Sequence, residues 1–420
     1  MKNEKDQNME AMNLPSAKPH PPSGTVRLLR TTCVLRLLLL LLLTLPAVVQ
    51  AQFNYITNSG TITITGYTGP DGGVAIPVTI NGLPVISIGD YAFINRTSLT
   101  SITIPSSVAS IGNSAFNGCN SLTDFTIPDS VTGIGNGVLG SCDRLRSVTI
   151  GSGVTNIGSG AFGYCTSLTE ITIPGNVTSI GQAAFTNCTS LVTLKIGSGV
   201  TSMGDNVCSG CTSLTNITVD ADNSIYGSVD GILVNKSQTT LIRFPQGKTG
   251  SYTIPGSVTN IGRWAFQYCT GLTGVTLPSN VTIIRENAFS DCISLKGVYF
   301  LGRAPRFGSS IFGGNNIATV YYLPGTFNWG PTFGGRPTAL WLLPNPLILN
   351  NGPIFGVQTN RFGFLISWAT NRPVVVEVCT DLAQPVWSPV GTNTLTDGAS
   401  YYSDPQWTNH PARFYRLRSP

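Results

Sequence analysis

The sequence predicts a mainly β chain: a solenoid, built as a parallel β ladder with tight returns, followed by a small antiparallel β-sandwich. The first observation behind this is a period. Cys119, Cys142, Cys165, Cys188 and Cys211 stand 23 residues apart, and Cys269 and Cys292 repeat the interval after a gap of 58. The second is alternation inside the period, as in Leu168-Thr-Glu-Ile171-Thr-Ile173-Pro174. That is the pattern of a short strand closed by a proline. The third is composition: only 10% of residues are charged, and Gly (47), Ser and Thr are abundant. Such a mixture forms helices poorly and short strands joined by turns well.

The elements follow in chain order. Residues 1–51 read as a tail and a signal peptide: Arg27, Arg30 and Arg36 precede the apolar run Leu37–Leu43, and Val49-Gln50-Ala51 supplies the small-residue cleavage site. The run is short for a bilayer, so the expectation is cleavage near Ala51, no membrane span in the mature chain, and a secreted or cell-surface location. Six of the 24 basic and three of the 19 acidic residues lie in that segment, which leaves 18 against 16. A nearly neutral chain without a basic run offers no footing for nucleic acid.

Residues 52–87 read as the N-terminal cap of the solenoid, with Gly60-Thr-Ile-Thr-Ile-Thr-Gly66 leading into Ile80–Gly89. Repeats occupy 88–300, in eight units beginning at Ile88, Ile111, Ile134, Ile157, Ile180, Met203, Ile261 and Ile284. One unit cannot bury its own apolar face, so Ile171 and Ile173 are expected to stack on Leu194 and Ile196 of the next. The long gap, 220–250, contains Asp230-Gly231 between apolar runs, the signal of a β-hairpin insertion. Closing turns fill 301–341, where Trp329 and Trp341 are expected to cover the open end. A proline-rich linker spans 342–353. Alternating segments in 354–420, such as Phe362–Trp368 and Val374–Val378, predict an immunoglobulin- or fibronectin III-like sandwich.

The unit Ile157-Gly158…Ala161-Phe162…Cys165…Leu168…Ile171-Thr-Ile173-Pro174 resembles the BspA-type leucine-rich repeat, nearly residue for residue across 86–300. Val138-Leu139 and Val207-Cys208 depart from its Ala-Phe pair, and Asn95 is read at the cysteine position of the first unit. The C-terminal segment is loosely similar to modules that end secreted bacterial proteins. The resemblance implies adhesion to host matrix proteins and cell–cell contact. It also implies a hairpin insertion of the kind seen at 220–250.

Candidate chemistry is sparse. After signal removal His410 is the one histidine, in a Pro-flanked loop, which leaves no multi-histidine metal site and a poor base for a nucleophile. Cys119, Cys142, Cys165, Cys188, Cys211, Cys269 and Cys292 read as a buried structural thiol ladder, with disulfides between neighbouring units as the alternative. Cys208-Ser-Gly-Cys211 invites a redox or zinc pair, but both positions belong to the repeat core. Asp220-Ala-Asp222-Asn-Ser224 lacks the glycine and glutamate of a calcium loop. No cofactor is expected.

Binding is assigned to the outward side of the strands. Alternation turns Thr103, Thr126, Thr149, Thr172, Lys195 and Thr218 to solvent, with Asp124 and Glu170 in the neighbouring row. The expectation is an exported, non-enzymatic, monomeric adhesion or binding protein whose partner is an extracellular protein or glycan. Two alternatives stay open. One is a carbohydrate-active β-solenoid enzyme using Asp124 and Glu170 as an acid pair; the other is a structural envelope or matrix component.

Overall fold

The computed structural model describes residues 52–314, 316–350 and 354–419; the expected signal, 1–51, lies outside the described residues. Every coil contributes one strand to a front ladder and a two-residue strand to a back ladder. Along the front, Glu170–Ile173 pairs in parallel with Thr193–Ile196, which places Ile171 beside Leu194 and Ile173 beside Ile196. Their inward side chains are buried, as the alternation requires. Along the back, Ser110–Ile111, Gly133–Ile134, Asn156–Ile157 and Ser179–Ile180 pair in sequence, stacking one isoleucine per coil.

The return between back and front strands carries the phenylalanine. Phe162 and Phe185 are fully buried and stack 5.4 Å apart at 4°. Phe244, Phe266, Phe289 and Phe312 form a second stack at 4.8–5.5 Å. The turn is tight because two residues per coil sit at positive φ, on either side of the Ala-Phe pair. Ser114 and Gly118 are one such couple, and Ala183 and Asn187 are another. The glycine after most back-strand isoleucines has a different cause: a Cβ on Gly158 would stand 2.4 Å from the Gly135 carbonyl oxygen. Arg285 takes that position after Ile284, and its amide still bonds Ile261 O at 3.0 Å.

The cysteine column lies inside the same return. Each thiol donates to a main-chain carbonyl of the preceding coil: Cys165 Sγ to Leu139 O and Cys188 Sγ to Phe162 O, both at 3.1 Å. Asn95 is not in this column. It is the positive-φ residue that matches Gly118, and Arg96 stands 23 residues before Cys119. The Arg96 guanidinium bonds Gly69 O at 3.1 Å and reaches Asp71 at 3.6 Å, which ties the first repeat to the cap.

The cap is an antiparallel hairpin, Phe53–Asn58 with Thr61–Tyr67, turned at Ser59-Gly60. Its second strand pairs in parallel with Leu83–Ile88, and Phe53 and Tyr67 pack on Phe93.

The solenoid is interrupted where the period breaks. Tyr226–Val229 and Ile232–Asn235 form a hairpin across Asp230-Gly231, both at positive φ. A third strand, Thr240–Arg243, continues from it into the back ladder, pairing in parallel with Asn260–Ile261. Leu241 and Phe244 thus occupy the isoleucine and phenylalanine positions of a shortened coil that the eight-unit count did not contain. The expected single continuous ladder is correspondingly divided. On the front, Ser101–Thr103 pairs with the cap, Asp124–Ile127 with Ser147–Ile150, and Glu170–Ile173 through Asn216–Val219 form a further run. Gly250–Thr253 starts another beyond the insertion, and the buried core of the solenoid falls into two clusters, 53–233 and 232–333.

At the far end Trp329 packs on Phe300, Tyr322 and Phe333, closing the last coil. Trp341 does not: its indole lies on the outward side against Tyr299, at 4.9 Å. Leu347–Leu349, within the expected linker, is a strand paired with Arg361–Ser367. Beyond it, two antiparallel sheets enclose a small core of Phe364, Ile366, Val374, Val376, Leu395 and Tyr402. Buried Glu377 is held there by Arg416 at 2.7 Å and Arg418 at 3.0 Å.

Candidate binding face

Parallel pairing without register slip sets the outward residues in columns. Asp124 stands beside Ser147, and Thr126 beside Thr149. In the next run Glu170, Thr193 and Asn216 form one column, and Thr172, Lys195 and Thr218 the other. Thr103 pairs with Ala75 of the cap. All eight candidate residues are exposed except Thr218, which is half-buried. The hairpin crowds it: Gly231 O accepts from Ile217 N at 2.8 Å. The face is a ribbon of short hydroxyls with few charges, bounded by the insertion.

Its charges are internally satisfied. Ser147 Oγ donates to Asp124 at 2.5 Å and Thr123 Oγ1 at 2.9 Å, and these bonds hold the Asp124 carboxyl below the usual range. Lys195 Nζ donates to Glu170 at 2.6 Å, with both side chains about half exposed (48% and 53%), so solvent screening leaves that pair little stabilising force. An inverting glycosidase needs a carboxyl with a raised pKa facing a carboxylate across a water-holding cleft. Asp124 has the lowered value that the base of such a pair would have, but Glu170, the other carboxyl, is ion-paired with Lys195.

Beyond the insertion the outward column continues through Thr253 and Thr276, the latter expected from alternation, to Tyr299, Tyr321 and Ala339. Tyr299 and Tyr321 stack at 4.9 Å and 10°, with Trp341 against Tyr299. Gly297 makes room: a Cβ there would meet the Tyr299 ring at 2.5–2.6 Å, so the ring lies across the bare backbone. Following the threonine column past 276 at intervals of 23 and 22 residues would have found both tyrosines.

The other candidates are placed as follows. The nine described cysteines are all buried and free. Burial pushes the Cys119 and Cys292 thiols up to about 12, and raises those of Cys142, Cys165 and Cys269 as well. Such thiols stay protonated, which suits their donor role and makes them poor nucleophiles. Cys208 fills a phenylalanine position in the core. Asp220 Oδ1 accepts from Asp222 N at 2.9 Å in a local turn, and buried Asn223 bonds the main chain of the preceding coil. His410 is exposed. Among the described residues no three His, Cys, Asp or Glu side chains gather as a metal site, and no helix is long and apolar enough to cross a membrane.

Comparison with known proteins gives one family match. The family described as "BspA type Leucine rich repeat region" matches in six copies over residues 85–228 and 243–328, more than half of the chain. No curated protein matches. Among solved structures, a leucine-rich cell surface protein from Faecalibacterium prausnitzii is 30% identical, over 64% of this chain and 86% of that one, with a TM-score of 0.49. The pneumococcal vaccine antigen PcpA is 20% identical over 64% and 80%, at 0.45. A leucine-rich repeat protein from Eubacterium ventriosum is 25% identical over 63% and 74%, at 0.45.

Proposed function

We propose, on the premise that the chain belongs to the BspA-type leucine-rich repeat family, that it is an exported, non-enzymatic adhesion or binding protein. It recognises an extracellular protein or glycan through the outward face of the front ladder, and works as a monomer at the cell surface or after release. The observation that carries this reading is the shared register of the outward residues within each run. Thr126 stands beside Thr149, and Thr172, Lys195 and Thr218 stand in line on the following coils, presenting polar columns to solvent. Solenoids bind through such extended faces. Hydroxyls spaced by the ladder repeat of about 4.8 Å offer donors and acceptors to an extended partner.

The enzyme alternative needs Glu170 free to act as the acid facing Asp124, whereas Lys195 donates to Glu170 at 2.6 Å. The test is a glycan array and a pull-down against extracellular matrix proteins with the purified chain. A partner lost in a Thr126→Arg, Thr149→Arg, Thr172→Arg variant of unchanged fold supports the face. Turnover of a polysaccharide that disappears in Asp124→Ala or Glu170→Ala would replace this reading with the enzymatic one.

A further inference from the structure

A concavity lies away from the front ladder, where the last coils meet the C-terminal sandwich. Gly325 fits there only because it has no side chain: a Cβ would stand 2.4 Å from Leu365 and 2.8 Å from Ala399 of the sandwich. The cleft beside this contact encloses about 470 Å³, with Asn280, Thr282, Arg303 and Phe327 on its solenoid wall and Leu349 and Leu365 on its sandwich wall. A second depression of about 390 Å³ adjoins it, sharing Thr282 and Arg303 and adding Arg306 and Asn328.

Charge is concentrated here. Residues 251–350 contain six basic side chains and two acidic ones, whereas residues 53–250 contain seven and ten. One of the two acids, Glu286, is engaged by Arg263 at 3.3 Å. Arg303 and Arg306 form no ion pair among the described residues, and neither depression is lined by a carboxylate. A paired, low-field environment is absent, and an anion entering the cleft meets uncompensated guanidinium groups.

The remaining groups narrow the ligand. Asn280 Nδ2 is committed to Gly256 O at 2.6 Å, and Thr282 Oγ1 donates to Thr259 O at 3.3 Å. That leaves the Asn280 carbonyl oxygen and the Thr282 lone pairs as acceptors, which suit hydroxyl donors. Phe327, 40% exposed, offers an aromatic face at the rim. A guanidinium for a carboxylate, acceptors for hydroxyls and a ring for a C–H face are the complement of an acidic sugar.

We propose that this cleft is a second binding site, distinct from the front face, for a carboxylate-bearing oligosaccharide. Arg303 takes the carboxylate as a bidentate partner, Asn280 and Thr282 accept from ring hydroxyls, and Phe327 stacks on the sugar. A following acidic unit places its carboxylate towards Arg306.

The test is calorimetric titration of the purified chain with tetragalacturonate, its methyl ester, and a tetraglutamate peptide. The expected result is binding of the acid, weakened at least tenfold by added salt, by Arg303→Gln and by Phe327→Ala. Loss on esterification and unchanged affinity in Arg361→Gln, on the sandwich, are also expected. Arg303 is exposed, so an unchanged melting curve separates a lost contact from a lost fold. No binding of the acid, equal binding of ester or peptide, or indifference to Arg303→Gln would each overturn the assignment. The threonine-to-arginine variant of the front face leaves this binding intact, so either site can fail without the other.

Discussion

Phe162 has no solvent exposure and stacks on Phe185, while its carbonyl accepts from Cys188, so one residue is tied to the next coil twice. Phe162→Ala is expected to cost about 3–5 kcal/mol, read from urea denaturation. Ala183 sits at φ 54, where a Cβ is strained. Ala183→Gly is therefore expected to stabilise the chain by about 0.5–1 kcal/mol, in contrast to the usual effect of added glycine. The thiols give a pH dependence. Cys119 and Cys292 are pushed up to about 12 by burial, whereas an unfolded thiol ionises near about 8.5. Their stabilisation is complete below the unfolded value and lost as pH climbs from there towards the folded one. The urea midpoint is expected to fall between about pH 9 and 11, and to fall less in the Cys119→Ala, Cys292→Ala variant. Equal slopes in both proteins would contradict the assignment.

The regular coil was legible in the sequence because one 23-residue spacing fixes its isoleucine, phenylalanine and cysteine together, and each has a packing role. The hairpin that breaks the spacing was legible at Asp230-Gly231, but the shortened coil after it was not: Leu241 and Ile261 are 20 apart, and Gly247 stands three residues after Phe244 where other coils have cysteine. Trp341 was read as an end cap because an aromatic residue past the last repeat fits that role, but strand parity turned it outward beside Tyr299. Leu347–Leu349 was read as linker because prolines flank it, yet it completes a sheet. The outward positions of the candidate face follow from alternation alone. Their electrostatics do not, because Ser147 and Lys195 act on Asp124 and Glu170 from the next coil. The hairpin that divides the ladder turns on Gly231, at φ 76, where a Cβ would stand 2.7 Å from Asn216 Oδ1. Gly231→Ala is expected to lower stability by about 1–2 kcal/mol and to raise hydrogen exchange at Ile217, whose amide bonds Gly231 O.

Across the molecule the solenoid core divides at the insertion, with Leu233 in the first cluster and Ile232 in the second. In a solenoid, stability is a sum of coil and nearest-neighbour contributions. A lesion on one side should therefore uncouple the halves. Phe289→Ala, in the second cluster, is expected to split thermal unfolding into two calorimetric transitions, the lower one belonging to the C-terminal coils. A single transition shifted as a whole would mean that the insertion transmits cooperativity fully. The same division separates two surfaces, the hydroxyl face of the first coils and the basic cleft beside the last.

Recognition through the front ladder is tested most directly by the equilibrium affinity for whichever matrix protein or glycan the array returns. It is measured for the native chain, for Thr126→Arg, Thr149→Arg, Thr172→Arg, and for a control carrying Thr132→Arg, Thr155→Arg, Thr178→Arg. The control residues are exposed and form their own column beside the back ladder, the Thr178 amide bonded to Thr155 O, that of Thr155 to Thr132 O and that of Thr132 to Ala109 O. The expected result is a loss of at least about 1.4 kcal/mol, tenfold in affinity, in the front variant alone. Equal affinities in all three proteins, or a loss confined to the back-ladder variant, would contradict it.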